Sequence, residues 1–325
     1  MAATTFYAQA AANRRKSAFL LLCVGLLFAG FGFVVGYAWL GDPVAAMGTT
    51  VFAGIVALVS GLTTYYAGAA MVLAASKARP VTAETHPVLL NIVQEMAIAA
   101  DVPMPATYVI DDTALNAFAT GRSPQHASIA VTSGLLDTLD REELQGVIGH
   151  EMGHVRNLDI RFALLVGVLV GGVALLADVL LRSMMWGGGR RQRSDRDGGG
   201  GLQVILMVLA LVLAIVAPIA ARLVQLSVSR QREYFADATS VEFTRNPAGL
   251  EQALWKIGTD REVLEVANRA TQHLYISNPI KKFEERSNNL WSTHPPLPDR
   301  INRLRALHGG APLAENEVRT LLSTK

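Results

Sequence analysis

The chain has 325 residues, of which 51% are hydrophobic and only 17% charged, with a net charge of +2. Soluble domains carry about 25% charged residues, so the deficit calls for a second solvent, and lipid is the obvious one. No basic stripe with interleaved aromatics is present, which leaves nucleic acid without support as a partner. The lone Cys23 excludes an internal disulfide and any thiolate zinc site, so a metal must be held by His, Asp or Glu.

Residues 18–40 carry no charge and, as a helix of about 1.5 Å per residue, reach roughly 35 Å, enough to cross a bilayer core of about 30 Å. A second uncharged run covers 44–76. Arg14, Arg15 and Lys16 precede the pair, Lys77 and Arg79 follow it, and Asp42 is the only charge between the runs. The positive-inside rule puts both ends of this hairpin in the cytoplasm. The first run is too long for a secretory signal core and is followed at once by another span.

From Val81 to about Asp159 the composition is that of a soluble domain. The pattern predicts an amphipathic helix over His86–Ala100, stopped before Pro103 and Pro105. It predicts strands at Thr107–Ile110 and Ser128–Thr132, with a third one possible within Asn116–Gly121. Asp140 followed by Glu143 is a capping-box pattern opening the next helix.

Two further apolar runs cover 162–181 and 202–221. They are joined by linker 187–201, which holds seven glycines with Arg190, Arg191, Arg193 and Arg196. After Arg222 the chain is soluble again. A helix is expected to reach Thr244, a second to open at Asn246-Pro247, an irregular polar segment to fill 258–292, and a basic helix to cover Pro298–Leu307. The expected division is a transmembrane hairpin (1–80), the first half of a soluble domain (81–160), a second hydrophobic hairpin (161–221) and the second half (222–325).

The chemistry sits in His150-Glu151-Met152-Gly153-His154. Histidines four apart project from one helix face and can hold one metal, with Glu151 angled toward a water on it. Zinc lowers the pKa of such a water to about 7, and a nearby carboxylate can then take its proton. Gly153 is a poor helix residue, which a close backbone approach would explain. A catalytic zinc needs a third protein ligand, and no histidine follows at close spacing, where Asn157, Asp159 and Arg161 stand instead. The best distant segment is Ser229–Ala238. In it Glu233 would ligate and Asp237, four residues on, would orient a ligand histidine such as His150. The alternative is a solvated face with Arg230 and Arg232 paired to these carboxylates.

This set resembles the gluzincin pattern of HExxH plus ExxxD. More narrowly, it is similar to the HtpX family of membrane-bound zinc endopeptidases, relatives of the CAAX prenyl proteases. The resemblance runs through two N-terminal spans, NAFATG at Asn116–Gly121, HEMGHVRNLD, a second hydrophobic pair, SRQREYFADA and a late Thr293-His294-Pro295-Pro296. It implies a mainly α fold with a small β-sheet, in which four hydrophobic helices join a zincin-type cytoplasmic α+β protease domain. It implies one zinc ion per chain, held by His150, His154 and Glu233, with Glu151 as base in the hydrolysis of misfolded or damaged membrane proteins as quality control in a bacterial inner membrane. It also implies that Asn116, Ala117 and Phe118 lie on an edge strand along which substrate binds, and that His294 stabilises the oxyanion. The plainer roles for Asn116 and His294 are a turn residue and a helix-entry residue. Arg300 is placed to pair with Asp237. His86, His126, His273 and His308 read as structural or surface residues. A CAAX-type processing protease and a non-catalytic zinc-stabilised scaffold are the alternative functions; the former normally has more spans, and the latter has no need of Glu151.

Overall fold

The computed structural model describes residues 6–165, 230–262, 264, 275–276 and 295–323. The chain divides into two units, one comprising 1–14, 66–164 and 225–325 and the other 15–65 and 165–224.

Helix α1 (Phe6–Leu40) and helix α2 (Pro43–Ala75) follow one another with only Gly41 and Asp42 between them. Asp42 accepts from the N–H groups of Val44 and Ala45, which caps α2 through a side chain. Small residues let the pair close: a Cβ on Gly36 would meet Thr49, whose hydroxyl donates to the carbonyl of Gly32 at 2.8 Å. Among the described residues, α2 is the one helix long and apolar enough to cross a bilayer by length and composition. The apolar runs at 162–181 and 202–221 lie outside the described residues beyond Leu165.

In the first unit a four-stranded sheet has the order β1 (Arg79–Pro80), β2 (Ala106–Ile110), β4 (Ala127–Thr132), β3 (Ala117–Gly121). β2 runs parallel to β4, and β3 antiparallel to it with Phe118 opposite Ala130. Ala117–Gly121 is therefore an edge strand of this sheet, with Asn116 just before it. Strand alternation sends Ala117 and Ala119 into the larger core, while Phe118 joins Ile110, Ala130 and Tyr275 in a smaller cluster on the other face.

The larger core packs α3 (Pro87–Ala100), α5 (Arg141–Arg156) and α8 (Pro247–Thr259), with Leu89, Ile92, Val147, Ile148, Met152, Leu250 and Leu254 almost fully enclosed. Two more helices, α9 (Leu297–Leu307) and α10 (Glu315–Ser323), close it. Residues 230–244 form a helix, α7, and 159–165 are helical after α5, here α6. The capping box expected at α5 is present in both directions: Asp140 Oδ1 accepts from the Glu143 N–H at 2.9 Å, and Glu143 Oε2 from the Asp140 N–H at 2.8 Å. Short α4 (Ser133–Thr138) and α10 are not among the helices expected from the sequence. Most of the segment read as polar and irregular, 258–292, lies outside the described residues. Within it, however, Tyr275 and Ile276 are buried at 1% and 2% exposure.

Candidate metal centre

α5 carries His150, Glu151 and His154, and its packing fixes where they point. Leu144, Val147, Ile148, Met152 and Val155 bury the core-facing side of the helix. Gly146, Gly149 and Gly153 line the flank where other helices come close. A Cβ on Gly146 would stand 2.7 Å from the backbone nitrogen of Leu250 in α8. One on Gly153 would stand 3.2 Å from the Thr239 side chain and 3.4 Å from the Ala236 Cα in α7. The Ser240 hydroxyl seals the contact by donating to the Gly146 carbonyl at 2.6 Å. Glycine in mid-helix disfavours the helix by about 1 kcal/mol relative to alanine. In exchange α7 comes near enough for Glu233 to reach the histidines.

The three donors converge. His150 Nε2 and His154 Nε2 are 3.2 Å apart, His154 Nε2 is 3.5 Å from Glu233 Oε1, and His150 Nε2 is 3.7 Å from Glu233 Oε2. Ligand atoms at about 2.0–2.1 Å around a tetrahedral zinc stand about 3.3 Å from one another, so these separations are close to the edges of such a tetrahedron. No other group of three His, Cys, Asp or Glu donors among the described residues meets within 4.8 Å. The donor set fits a zinc-type cation.

Each histidine is held from behind by a carboxylate. His150 Nδ1 lies 2.9 Å from Asp237 Oδ1, and His154 Nδ1 lies 3.1 Å from Asp159 Oδ2. An Nδ1–H donated to a carboxylate leaves Nε2 with its lone pair toward the metal and raises its basicity. Burial pulls the His150 pKa below the ordinary histidine value, against the Asp237 bond, which favours the neutral ligand form. For His154 burial also lowers the pKa, but Asp159 and Glu233 together carry it well above the usual range.

Arg300 completes the assembly from α9. Fully buried, it donates from Nε and Nη2 to the two Asp237 oxygens at 2.9 and 2.6 Å, and its Nη1 lies 3.5 Å from Glu233 Oε2. The expected pairing of Arg300 with Asp237 is present. Glu233 and Asp237 are 8% and 5% exposed, so the solvated-face alternative for this pair does not hold. Arg232 turns to Asp159, Nη1 to Oδ1 at 3.7 Å, and lies over the Phe162 ring.

Glu151 is 1% exposed, and its Oε1 has no hydrogen-bond partner among the described residues. Burial, with Glu233 adding, lifts its pKa to about 7, while His154 and the Ala119 N–H pull the other way. A carboxyl group with that pKa exchanges a proton readily near neutral pH.

Asn116 is buried beside the edge strand, with its Oδ1 accepting from the Ala117 N–H at 3.1 Å. His294 and His273 lie outside the described residues. His126 pairs with Ser123 and His308 with Glu251, both away from the metal donors. Asp159 is a residue of this cluster to which the sequence pattern assigns no role. Its signal is an acidic residue just past the helix end, and the turn that brings it back is unusual. Leu158 adopts φ 61°, a left-handed conformation that an L side chain takes at a cost of about 1–2 kcal/mol.

Residues 83–308 match the model of peptidase family M48. "Protease HtpX homolog" of Streptococcus mutans is 45% identical over 298 residues, covering 91% of this chain and 98% of that one. The protein of the same description from Streptococcus gordonii is 42% identical over 301 residues, covering 93% and 99%. The crystal structure of S. mikatae Ste24p aligns with a TM-score of 0.46 at 18% identity, covering 88% of this chain and 62% of that one. With an HExxH helix, a glutamate third donor and a carboxylate behind each histidine, the chain belongs to peptidase family M48 as a membrane metalloprotease of the HtpX type.

Proposed function

We propose that the chain is a membrane-anchored zinc endopeptidase that cuts misfolded or damaged membrane proteins. The observation that carries this is Glu151, a buried carboxylate beside three donors spaced for a tetrahedral cation.

His150, His154 and Glu233 would hold one zinc ion, which supplies Lewis acidity to a carbonyl and lowers the pKa of water. Asp237 and Asp159 keep the imidazoles in the ligating tautomer. Glu151 takes the proton of the attacking water and passes it to the leaving amine nitrogen. Edge strand β3, with Asn116, Ala117 and Phe118, pairs with an extended substrate backbone without reading much of its sequence. His294 donates to the developing oxyanion.

Substrates are membrane proteins or segments leaving the bilayer. In sequence, His154 is eight residues before the apolar run at Phe162 and Glu233 is twelve after the run ending at Ala221, about 12 and 18 Å along a helix. In this reading the four apolar runs of the sequence anchor the protein in a bacterial cytoplasmic membrane with the site facing the cytoplasm, where a stress-linked quality-control protease would work. Labelling a Ser194→Cys variant from outside intact cells tests this topology: modification puts linker 187–201 outside, and protection keeps it inside. The reaction is tested with Glu151→Gln, which should keep zinc and lose cleavage of a membrane-protein substrate. Equal cleavage by both forms would remove the mechanism.

A further inference from the structure

The outer edge of β3 is not bare. Phe118 forms an antiparallel bridge with Tyr275, and the Ile276 N–H donates to the Ala117 carbonyl at 2.9 Å. That carbonyl points away from β4, on the side where an incoming peptide would pair. On its other flank, the Ile276 carbonyl accepts from Arg300 Nη1 at 3.3 Å, and the same Nη1 lies 3.5 Å from the metal donor Glu233. One residue of the chain, Ile276, therefore bridges the edge strand and the guanidinium beside the metal donors. The Ile276 side chain is buried in the apolar cluster that holds Val147 and Ile148 of the metal-binding helix. Tyr275 packs edge-on against Phe118 at 5.0 Å, and its hydroxyl lies 3.1 Å from Ser76 Oγ.

These are three contacts that would hold a bound substrate residue: an acceptor for its N–H, a donor for its carbonyl and an apolar pocket for its side chain. We infer that Tyr275–Ile276 is an internal stand-in for substrate, which an entering polypeptide displaces as it lays a branched aliphatic residue in the pocket that Ile276 fills. This rests on the metalloprotease reading above and adds a subsite to it, with Ala117 C=O and Arg300 Nη1 as its polar walls. Among the described residues the pairing is a single bridge, whereas β3 pairs with β4 along its whole length.

The test uses the full chain with zinc in detergent and two fluorogenic peptides that differ only in carrying Ile or Asp at the residue after the cut. The hydrogen bond from Ile276 to Ala117 makes Phe118 and Tyr275 a narrow antiparallel pair, with Cα atoms about 4.5 Å apart, close enough for a disulfide. In a Cys23→Ser background, Phe118→Cys with Tyr275→Cys locks the segment on oxidation. A tenfold or greater drop in kcat/KM, reversed by reductant in the same sample, supports the inference, and equal kcat/KM in both redox states overturns it. If that variant is inactive in both states, Ile276→Gly decides. A KM at least threefold below that of the native chain for the Ile peptide, with no such gain for the Asp peptide, supports displacement. An unchanged or higher KM identifies Tyr275–Ile276 as a fixed wall and overturns it. Wild type and Glu151→Gln run alongside, and a wild type that cuts neither peptide refutes the underlying reading instead.

Discussion

Asp159 Oδ2 lies 3.1 Å from His154 Nδ1, five residues back along the chain. The carboxylate reaches back because α5 ends at Arg156 and Leu158 turns left-handed at φ 61°. It does for His154 what Asp237 does for His150. Asp159→Asn keeps the shape and loses the charge, and a partner of this kind typically contributes 10–100-fold to metal affinity. Zinc affinity measured by competition with a chromogenic chelator should fall in that range. An affinity within twofold of the native chain would show that Asp159 only packs.

Arg300 is the largest fully buried side chain among the described residues, and its two donated bonds to Asp237 leave it no route to solvent. Arg300→Met strands Asp237 as an uncompensated buried charge. Removing one partner of a buried pair costs about 3–5 kcal/mol, so denaturant unfolding should show a loss of that size, and Arg300→Lys should recover part of it. Unchanged stability in Arg300→Met would mean that the pair is solvated.

Gly146 is where α5 meets α8. The Cβ of Gly146→Ala would stand 2.7 Å from Leu250 N and 2.8 Å from its Cα, and backbone cannot rotate aside as a side chain can. Overpacking of this kind costs about 1–3 kcal/mol. Gly153→Ala faces a softer neighbour, the Thr239 side chain at 3.2 Å, and should lose less. Thermal unfolding of the two variants beside the native chain checks the order; a Gly153→Ala that is the less stable of the two reverses it.

Metal removal should loosen the link between α5 and α7. A ligand present at 100 times its Kd stabilises the folded form by about 2.7 kcal/mol. Chelation is therefore expected to lower the melting temperature, and zinc, added back, to restore it. Glu233→Gln should show a much smaller zinc-dependent shift. An equal shift in that variant would place the third ligand elsewhere.

Much of this protein is legible in one dimension. The HExxH spacing puts two histidines on one helix face whatever surrounds them, since 3.6 residues per turn bring positions four apart together. The capping box at Asp140 and Glu143 and the N-cap at Asn246 are local hydrogen-bond patterns, and both are found where the sequence puts them. The α2 span follows from length and apolarity alone. Glu233 and Asp237 were recognisable as a carboxylate pair four apart, but whether they faced solvent or metal depended on α7 docking against the glycine-lined flank of α5. Asp159 was visible as a residue and silent as a ligand partner, because its role depends on a left-handed turn at a leucine that no propensity favours. Tyr275 and Ile276 sit in a stretch that reads as polar, and only long-range pairing with β3 gives them a place. Local periodicity and short-range hydrogen bonding are written along the chain, so the sequence by itself determined the helix that carries His150, Glu151 and His154 on one side. Contacts between residues more than a hundred positions apart depend on how helices and strands close on one another, so the tertiary structure alone decided what stands behind each histidine and what lies along the edge strand.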